Sequence, residues 1–197
     1  ELFQFREAEL IAPQTYLLRG RLRGQLGSDA LMPDVWPAGS YVVLLDDSAV
    51  QLALAPEQRR RARHYRIGPA QRALDDPSYV HEQHSFDGNG LRPYAPVHLR
   101  LGGALGADLA ASWIRRTRIE GDSWDLPEVP LGEDLEAYRI RVLQGSTVLR
   151  EETTTTASWS YGAAAQMQDG VQAGDVLEVA QLSARYGAGP AARQVLA

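Results

Sequence analysis

Apolar and polar side chains alternate with a period of two on either side of one arginine-rich loop, and this pattern constrains the fold more than any other feature. Asp108-Leu-Ala-Ala-Ser-Trp-Ile114 sets Leu109, Ala111 and Trp113 on one face. Tyr138-Arg-Ile-Arg-Val142 sets Tyr138, Ile140 and Val142 on one face and Arg139 and Arg141 on the other. A helix, with 3.6 residues per turn, would scatter both sets. Two half-buried strands that each carry a large aromatic need a second layer to cover them, and a β-sandwich supplies it.

The flanking sequence extends the pattern. Pro96-Val-His-Leu-Arg-Leu101 alternates before the Gly102-Gly103 turn, and Gln144-Gly-Ser146 is a hairpin turn into Thr147-Val-Leu-Arg-Glu151. Thr153-Thr-Thr-Thr156 has high strand propensity. Ser158-Trp-Ser-Tyr161, Val176-Leu-Glu-Val-Ala-Gln-Leu-Ser183 and Ala191-Ala-Arg-Gln-Val-Leu196 complete about seven strands, the number expected of an immunoglobulin-like sandwich. The expected core is Leu109, Trp113, Tyr138, Ile140, Val142, Val148, Leu177 and Val179. A side chain of this size contributes roughly 1.5–3 kcal/mol when buried.

The first half is less regular. Leu2-Phe-Gln-Phe5 and Thr15-Tyr-Leu-Leu-Arg-Gly-Arg-Leu22 read as strands, the second with glycines at positions 20 and 24 that suggest a bulge. Ser40-Tyr-Val-Val-Leu-Leu45 is the clearest strand of this half, and after an Asp46-Asp-Ser48 turn Val50-Gln-Leu-Ala-Leu54 alternates again. Residues 55–62 suit one or two helical turns with Pro56 near the start. His64-Tyr-Arg-Ile67 and residues 78–86 are further strands. Asp87-Gly-Asn-Gly-Leu-Arg-Pro93 breaks any regular element, so the expected division is a β-rich element over 1–91 and a sandwich over 92–197. The opening at Glu1, inside a strand-like pattern, suggests a piece of a longer polypeptide.

Composition narrows the functional classes. A net charge of −5 argues against a dedicated nucleic-acid binder. All 20 basic residues are arginine, which offers planar, always-charged forks for carboxylates and aromatic faces. There is no cysteine, so thiolate nucleophiles, disulfides and Cys-type zinc sites are excluded. No apolar run approaches the ~18 residues of a membrane span.

No motif carries convincing chemistry, and the expectation is a protein that is not an enzyme, without cofactor or metal. Of the four histidines, His81 and His84 are three apart on a strand and point to opposite faces, and His64 and His98 stand alone in the sequence. Asp87-Gly-Asn-Gly90 begins like a calcium loop, but Leu91 and Arg92 follow and His98 stands where the bidentate glutamate belongs. The carboxylates Asp122, Asp125, Glu128, Glu133, Asp134 and Glu136 share one loop with Arg115, Arg116 and Arg118, which makes solvated ion pairing their default role. Trp124 among them could stack on a sugar ring or an arginine; a cap on the open end of the sandwich is the better account. The candidate contact residues are therefore Trp124 and the basic cluster Arg59, Arg60, Arg61 and Arg63.

From Trp113 through Tyr138-Arg-Ile-Arg-Val142 to Val179-Ala-Gln-Leu-Ser183, the second half resembles a fibronectin type III domain. The family's tyrosine at the start of the sixth strand is missing, with Val176 or Leu177 in its place. Residues 16–28, 38–45, 65–69, 91–99 and 113–133 together resemble the C-terminal region of tail-tip or baseplate hub proteins of phage-like particles, including gene transfer agents. That resemblance implies a virion structural protein made in the bacterial cytoplasm. It would join other tail and baseplate subunits as a homotrimer of the full-length protein, contact host surface polysaccharide, and neither bind nucleic acid nor span a membrane. The alternative is a carbohydrate-binding accessory module of an envelope-degrading enzyme, which Trp124 and Trp159 on one surface would favour. A third is a cellular adhesion protein with the same sandwich.

Overall fold

The computed structural model describes residues 1–121, 123, 125 and 127–197. These form two compact units, one of residues 1–33 with 92–197 and one of residues 34–91.

The first unit holds the sandwich. Strands β1 (Leu2–Gln4), β2 (Glu7–Ala12), β3 (Thr15–Arg19) and β4 (Leu22–Gln25) come first, as the antiparallel pairs β1–β4 and β2–β3. Gly20, at φ +62, breaks the expected 15–22 strand into two. The second unit contributes β5 (Arg63–Ile67) and β6 (Val80–His84), an antiparallel pair. The sandwich follows in the first unit with β7 (Val97–Gly102), β8 (Leu109–Ile114), β9 (Tyr138–Gln144), β10 (Thr147–Thr154), β11 (Ser158–Tyr161), helix α1 (Ala163–Asp169), β12 (Val176–Ser183) and β13 (Gly187–Val195).

One sheet has the order β11-β8-β7 and the other β10-β9-β12-β13. The chain crosses between sheets after β8, after β10 and, through α1, after β11, while β7–β8, β9–β10 and β12–β13 are hairpins. This is an all-β, immunoglobulin-like arrangement of the fibronectin type III kind. Alternation does its expected work at the centre. β8 reads buried-exposed along its whole length, and Tyr138, Ile140 and Val142 are fully buried in β9. Leu177 and Val179 of β12 join them. Trp113 meets Tyr138 edge-on, with ring centroids 5.1 Å apart. Val148, expected in the core, is instead 43% exposed: the ladder is irregular between Val148 and Arg150, and Val148 lies beside the β9–β10 turn.

Helix α1, which hydrophobic periodicity did not announce, is only seven residues long, and one buried side chain anchors its inner face. Buried Gln166 donates to the carbonyls of Ala107 (2.6 Å) and Tyr161 (2.7 Å) and accepts from the Gly106 amide (2.9 Å). It thereby ties the β7–β8 turn to the end of β11. Gly189 in β13 has a different task. A Cβ there would lie 2.2 Å from the Pro93 carbonyl oxygen, so only glycine allows that close approach.

The second unit departs from expectation. Residues 40–45 and 50–54 are not strands, and their apolar side chains other than Leu54 are in water, Tyr41 fully so. Strand propensity is mostly a preference for packing against a neighbouring strand, and no ladder is offered to these segments among the described residues. The helical turns expected over 55–62 reduce to a single 3-10 turn at Pro56–Gln58.

Two substitutions of buried glutamines separate a satisfied polar group from an orphaned one. Gln166→Leu leaves one amide and two carbonyls without their partner and is expected to cost about 2–3 kcal/mol in urea unfolding. Gln181, equally buried in β12, has no hydrogen-bond partner for either side-chain polar atom. Gln181→Leu is therefore expected to be neutral or stabilising by about 1 kcal/mol.

Candidate contact surface

Most polar groups of the first unit are engaged in clusters of their own. The densest joins the two sheets at one edge. Arg150 of β10 donates from Nε and Nη2 to both oxygens of Asp169, at the end of α1, and from Nη1 to Glu152. The Tyr161 hydroxyl donates to Asp169 (2.6 Å), and the Trp159 indole N–H to Glu152 (2.7 Å). The Arg150 guanidinium also lies 5.5 Å from the centre of the Tyr161 ring. The Arg150 bonds hold the Asp169 carboxyl below the usual carboxylate range, and the Trp159 and Arg150 bonds do the same for Glu152. Burial and the bond to Asp169 push Tyr161 well above its ordinary value. Each carboxylate here accepts from two side chains, so the cluster clasps the two sheets together. Trp159 belongs to it, half-buried and stacked on Tyr161 at 4.9 Å.

The arginines after β8 are likewise engaged. Arg115 donates to the carbonyls of Pro130 (2.9 Å) and Val129 (2.7 Å) and lies 3.6 Å from Glu128. Arg116 pairs with Asp29 at 2.9 Å and stands over the Tyr94 ring, which ties residues 1–33 to the sandwich. Arg118 pairs with Glu133 at 3.0 Å and stands over Tyr186. The Glu133 side chain is only 6% exposed, so this pair is shielded, in contrast to the solvated pairing expected of the loop. Glu136 accepts from the Tyr138 hydroxyl, and Asp134 lies 3.5 Å from Arg185. Asp122 and Trp124 lie outside the described residues.

The basic cluster belongs to the second unit. Arg59 is half-buried, with its aliphatic stem close over Gly88, where a Cβ would lie 2.8 Å from Arg59 Cδ. Arg60 takes a left-handed conformation (φ 60), its amide donates to the Phe86 carbonyl (2.9 Å), and its exposed side chain is 3.8 Å from Asp87. Arg61 is exposed, and Arg63 opens β5 opposite His84 with its Nε buried. Arg60 and Arg61 are thus the members of the cluster most open to solvent.

All four histidines are exposed, His98 at a bulge in β7 where its φ is +52. His81 and His84 face opposite sides of β6, as their spacing requires. The β5–β6 register brings together a pair that spacing alone conceals: His64 Nδ1 and His81 Nε2 are 3.0 Å apart, and the rings stack at 5.2 Å. Among the described residues no group of three or more His, Cys, Asp or Glu is placed to hold a metal. A shallow depression of about 430 Å³ beside α1 is lined by Gly106, Gln166, Met167 and Val171, and the Gln166 amide that could orient a ligand there is already used.

Apolar side chains are also exposed among the described residues. Val42, Val43, Leu44, Leu45, Val50 and Leu52 are each more than 60% exposed in the second unit. In the first unit the β2–β3 hairpin exposes Leu10, Ile11 and Tyr16.

Comparison with known proteins adds three findings. Residues 1–43 match the family model described as "Rcc01698-like, C-terminal". No curated protein sequence matches the chain. Among solved structures, rat CD45 extracellular domains d3–d4 align over 96% of this chain and 92% of theirs, at 9% identity and a TM-score of 0.39. A structure titled "Myokine structure" aligns over 53% of this chain and 95% of its own, at 16% identity and 0.35. The FN5 domain of Drosophila Lar aligns over 53% and 96%, at 13% identity and 0.28. Likenesses this distant say nothing about what the chain binds.

The clasp makes stability depend on acid pH. Because Asp169 and Glu152 titrate lower when folded than when unfolded, their contribution is present above the unfolded carboxylate range and is lost as pH falls through the folded values. The stability deficit of Asp169→Asn, measured by urea unfolding, is expected to be full at pH 7 and to shrink below about pH 4. A deficit of constant size from pH 7 to pH 3 would show that the carboxylate charge does not hold the clasp.

Proposed function

We propose that this chain is a structural part of a phage-like tail tip or baseplate, of the gene transfer agent kind, that assembles by protein contact and helps position the particle at the host surface. The family match over residues 1–43 is the observation that carries this reading. Exposed apolar segments support it. Two-stranded hairpins are marginal on their own, and strand-forming segments left in water are suited to burial against another protein. Monomeric proteins rarely expose large contiguous apolar patches without a function for them. The sandwich then serves as a rigid platform, and many copies on one particle would give avidity from weak individual contacts. The basic residues Arg60 and Arg61 are available to acidic neighbours or anionic surface sugars.

The test is co-purification. Tailed particles banded from cells that carry the native gene are expected to contain this chain by mass spectrometry. Val43→Lys, which places a charge in the exposed apolar segment, is expected to reduce incorporation at least tenfold while leaving the sandwich's thermal unfolding unchanged. Recovery of the chain only in particle-free fractions would contradict the reading, as would full incorporation of the lysine variant.

A further inference from the structure

The geometry points to a transition-metal site on the β5–β6 hairpin, in which His64 and His81 chelate one divalent ion with a tetragonal preference, copper(II) before nickel(II). The two imidazoles come from different strands. His64 pairs in register with Gln83, and Arg66 with His81, so the histidines are diagonal neighbours on one face of the hairpin. His64 Nδ1 and His81 Nε2 are 3.0 Å apart. Two nitrogens each ~2.0–2.1 Å from one ion lie about 2.9 Å apart at a right angle and about 3.4 Å apart at the tetrahedral angle. The observed separation falls within the range that one ion spans, and copper(II) heads the affinity order for imidazole ligands. The same spacing lets one ring donate to the other when no ion is bound, and rotation of the exposed rings about their side-chain torsions turns both nitrogens toward one ion. Both rings are exposed, which leaves room for water to fill the remaining coordination positions.

The neighbours on that face divide. Gln83 offers an amide oxygen beside His64, whereas Arg66 is a cation beside His81. The Arg66 guanidinium is engaged over the Tyr79 ring, 5.9 Å from its centre. Glu82 and His84 lie on the opposite face, within 3.7 Å of each other, and stay outside the site. A metal here would bridge β5 and β6 and stabilise this two-stranded hairpin.

Copper(II) alone, added to the whole chain in a non-coordinating buffer, tests this. Electron paramagnetic resonance is expected to show one tetragonal copper per chain with nitrogen couplings from two imidazoles. His64→Ala and His81→Ala are each expected to weaken binding at least tenfold, and His84→Ala to leave it within twofold of the parent. Zinc is expected to bind at least tenfold more weakly than copper. Amide exchange across residues 63–67 and 80–84 should slow on adding copper to the parent and not to either weakened variant. The same exchange pattern without metal in parent and variants shows that the substitutions leave the hairpin formed. Equal copper binding by the parent, His64→Ala and His81→Ala would overturn the proposal, and so would the absence of a two-imidazole spectrum.

Discussion

The edge-on contact between Trp113 and Tyr138 is the constraint on which the sandwich depends. The two rings come from opposite sheets, and each completes a surface that its own sheet cannot cover. Tyr138 also links the core to the loop beyond it, because its hydroxyl donates to Glu136 while its ring stays buried. Truncating either ring would remove apolar burial and leave a cavity, a combination that costs about 3–5 kcal/mol for an aromatic in a domain core. Total stabilities of ~5–15 kcal/mol leave little room for such a loss.

Polar groups finish what the core begins. Gln166 and the Arg150–Asp169–Tyr161 clasp secure the short helix that carries the chain from β11 to β12. Arg116 ties the long loop after β8 to Asp29, while Arg118 closes that loop on its own Glu133 and stands over Tyr186. A chain without lysine solves several fastening problems with the same planar fork, which can meet a carboxylate and an aromatic face at once. The sandwich is therefore closed chemically as well as sterically, and its own polar clusters are largely spent on holding it together.

The sandwich was legible because its central strands β8 and β9 alternate strictly and its hairpins are bounded by turn residues. Leu109, Trp113, Tyr138, Ile140, Val142, Leu177 and Val179 are all buried where alternation puts them. Val148 failed because a bulge beside the turn changes which way a strand residue faces, and alternation cannot see bulges. Helix α1 is too short for periodicity to show, and its main support is one glutamine reaching residues 59 and 60 positions away. Ser40 to Leu45 failed for a different reason. Its composition reports a wish to be a strand, while pairing depends on a neighbour that sequence does not name. The His64–His81 pair was hidden in the same way, because it exists only through the register of two strands. What sequence reads well is local pattern; what it misses is decided by cross-strand partners.

On the proposed tail-tip role, the sandwich core is complete within the chain, while residues 40–54 become covered by another protein on assembly. Amide hydrogen exchange, followed on the isolated chain and again inside the assembled particle, measures that division directly. The account predicts slow exchange in β8, β9 and β12 in both states, and fast exchange over residues 40–54 that slows by orders of magnitude on assembly. Equally slow exchange over 40–54 in the isolated chain, or no change there within the particle, would contradict it.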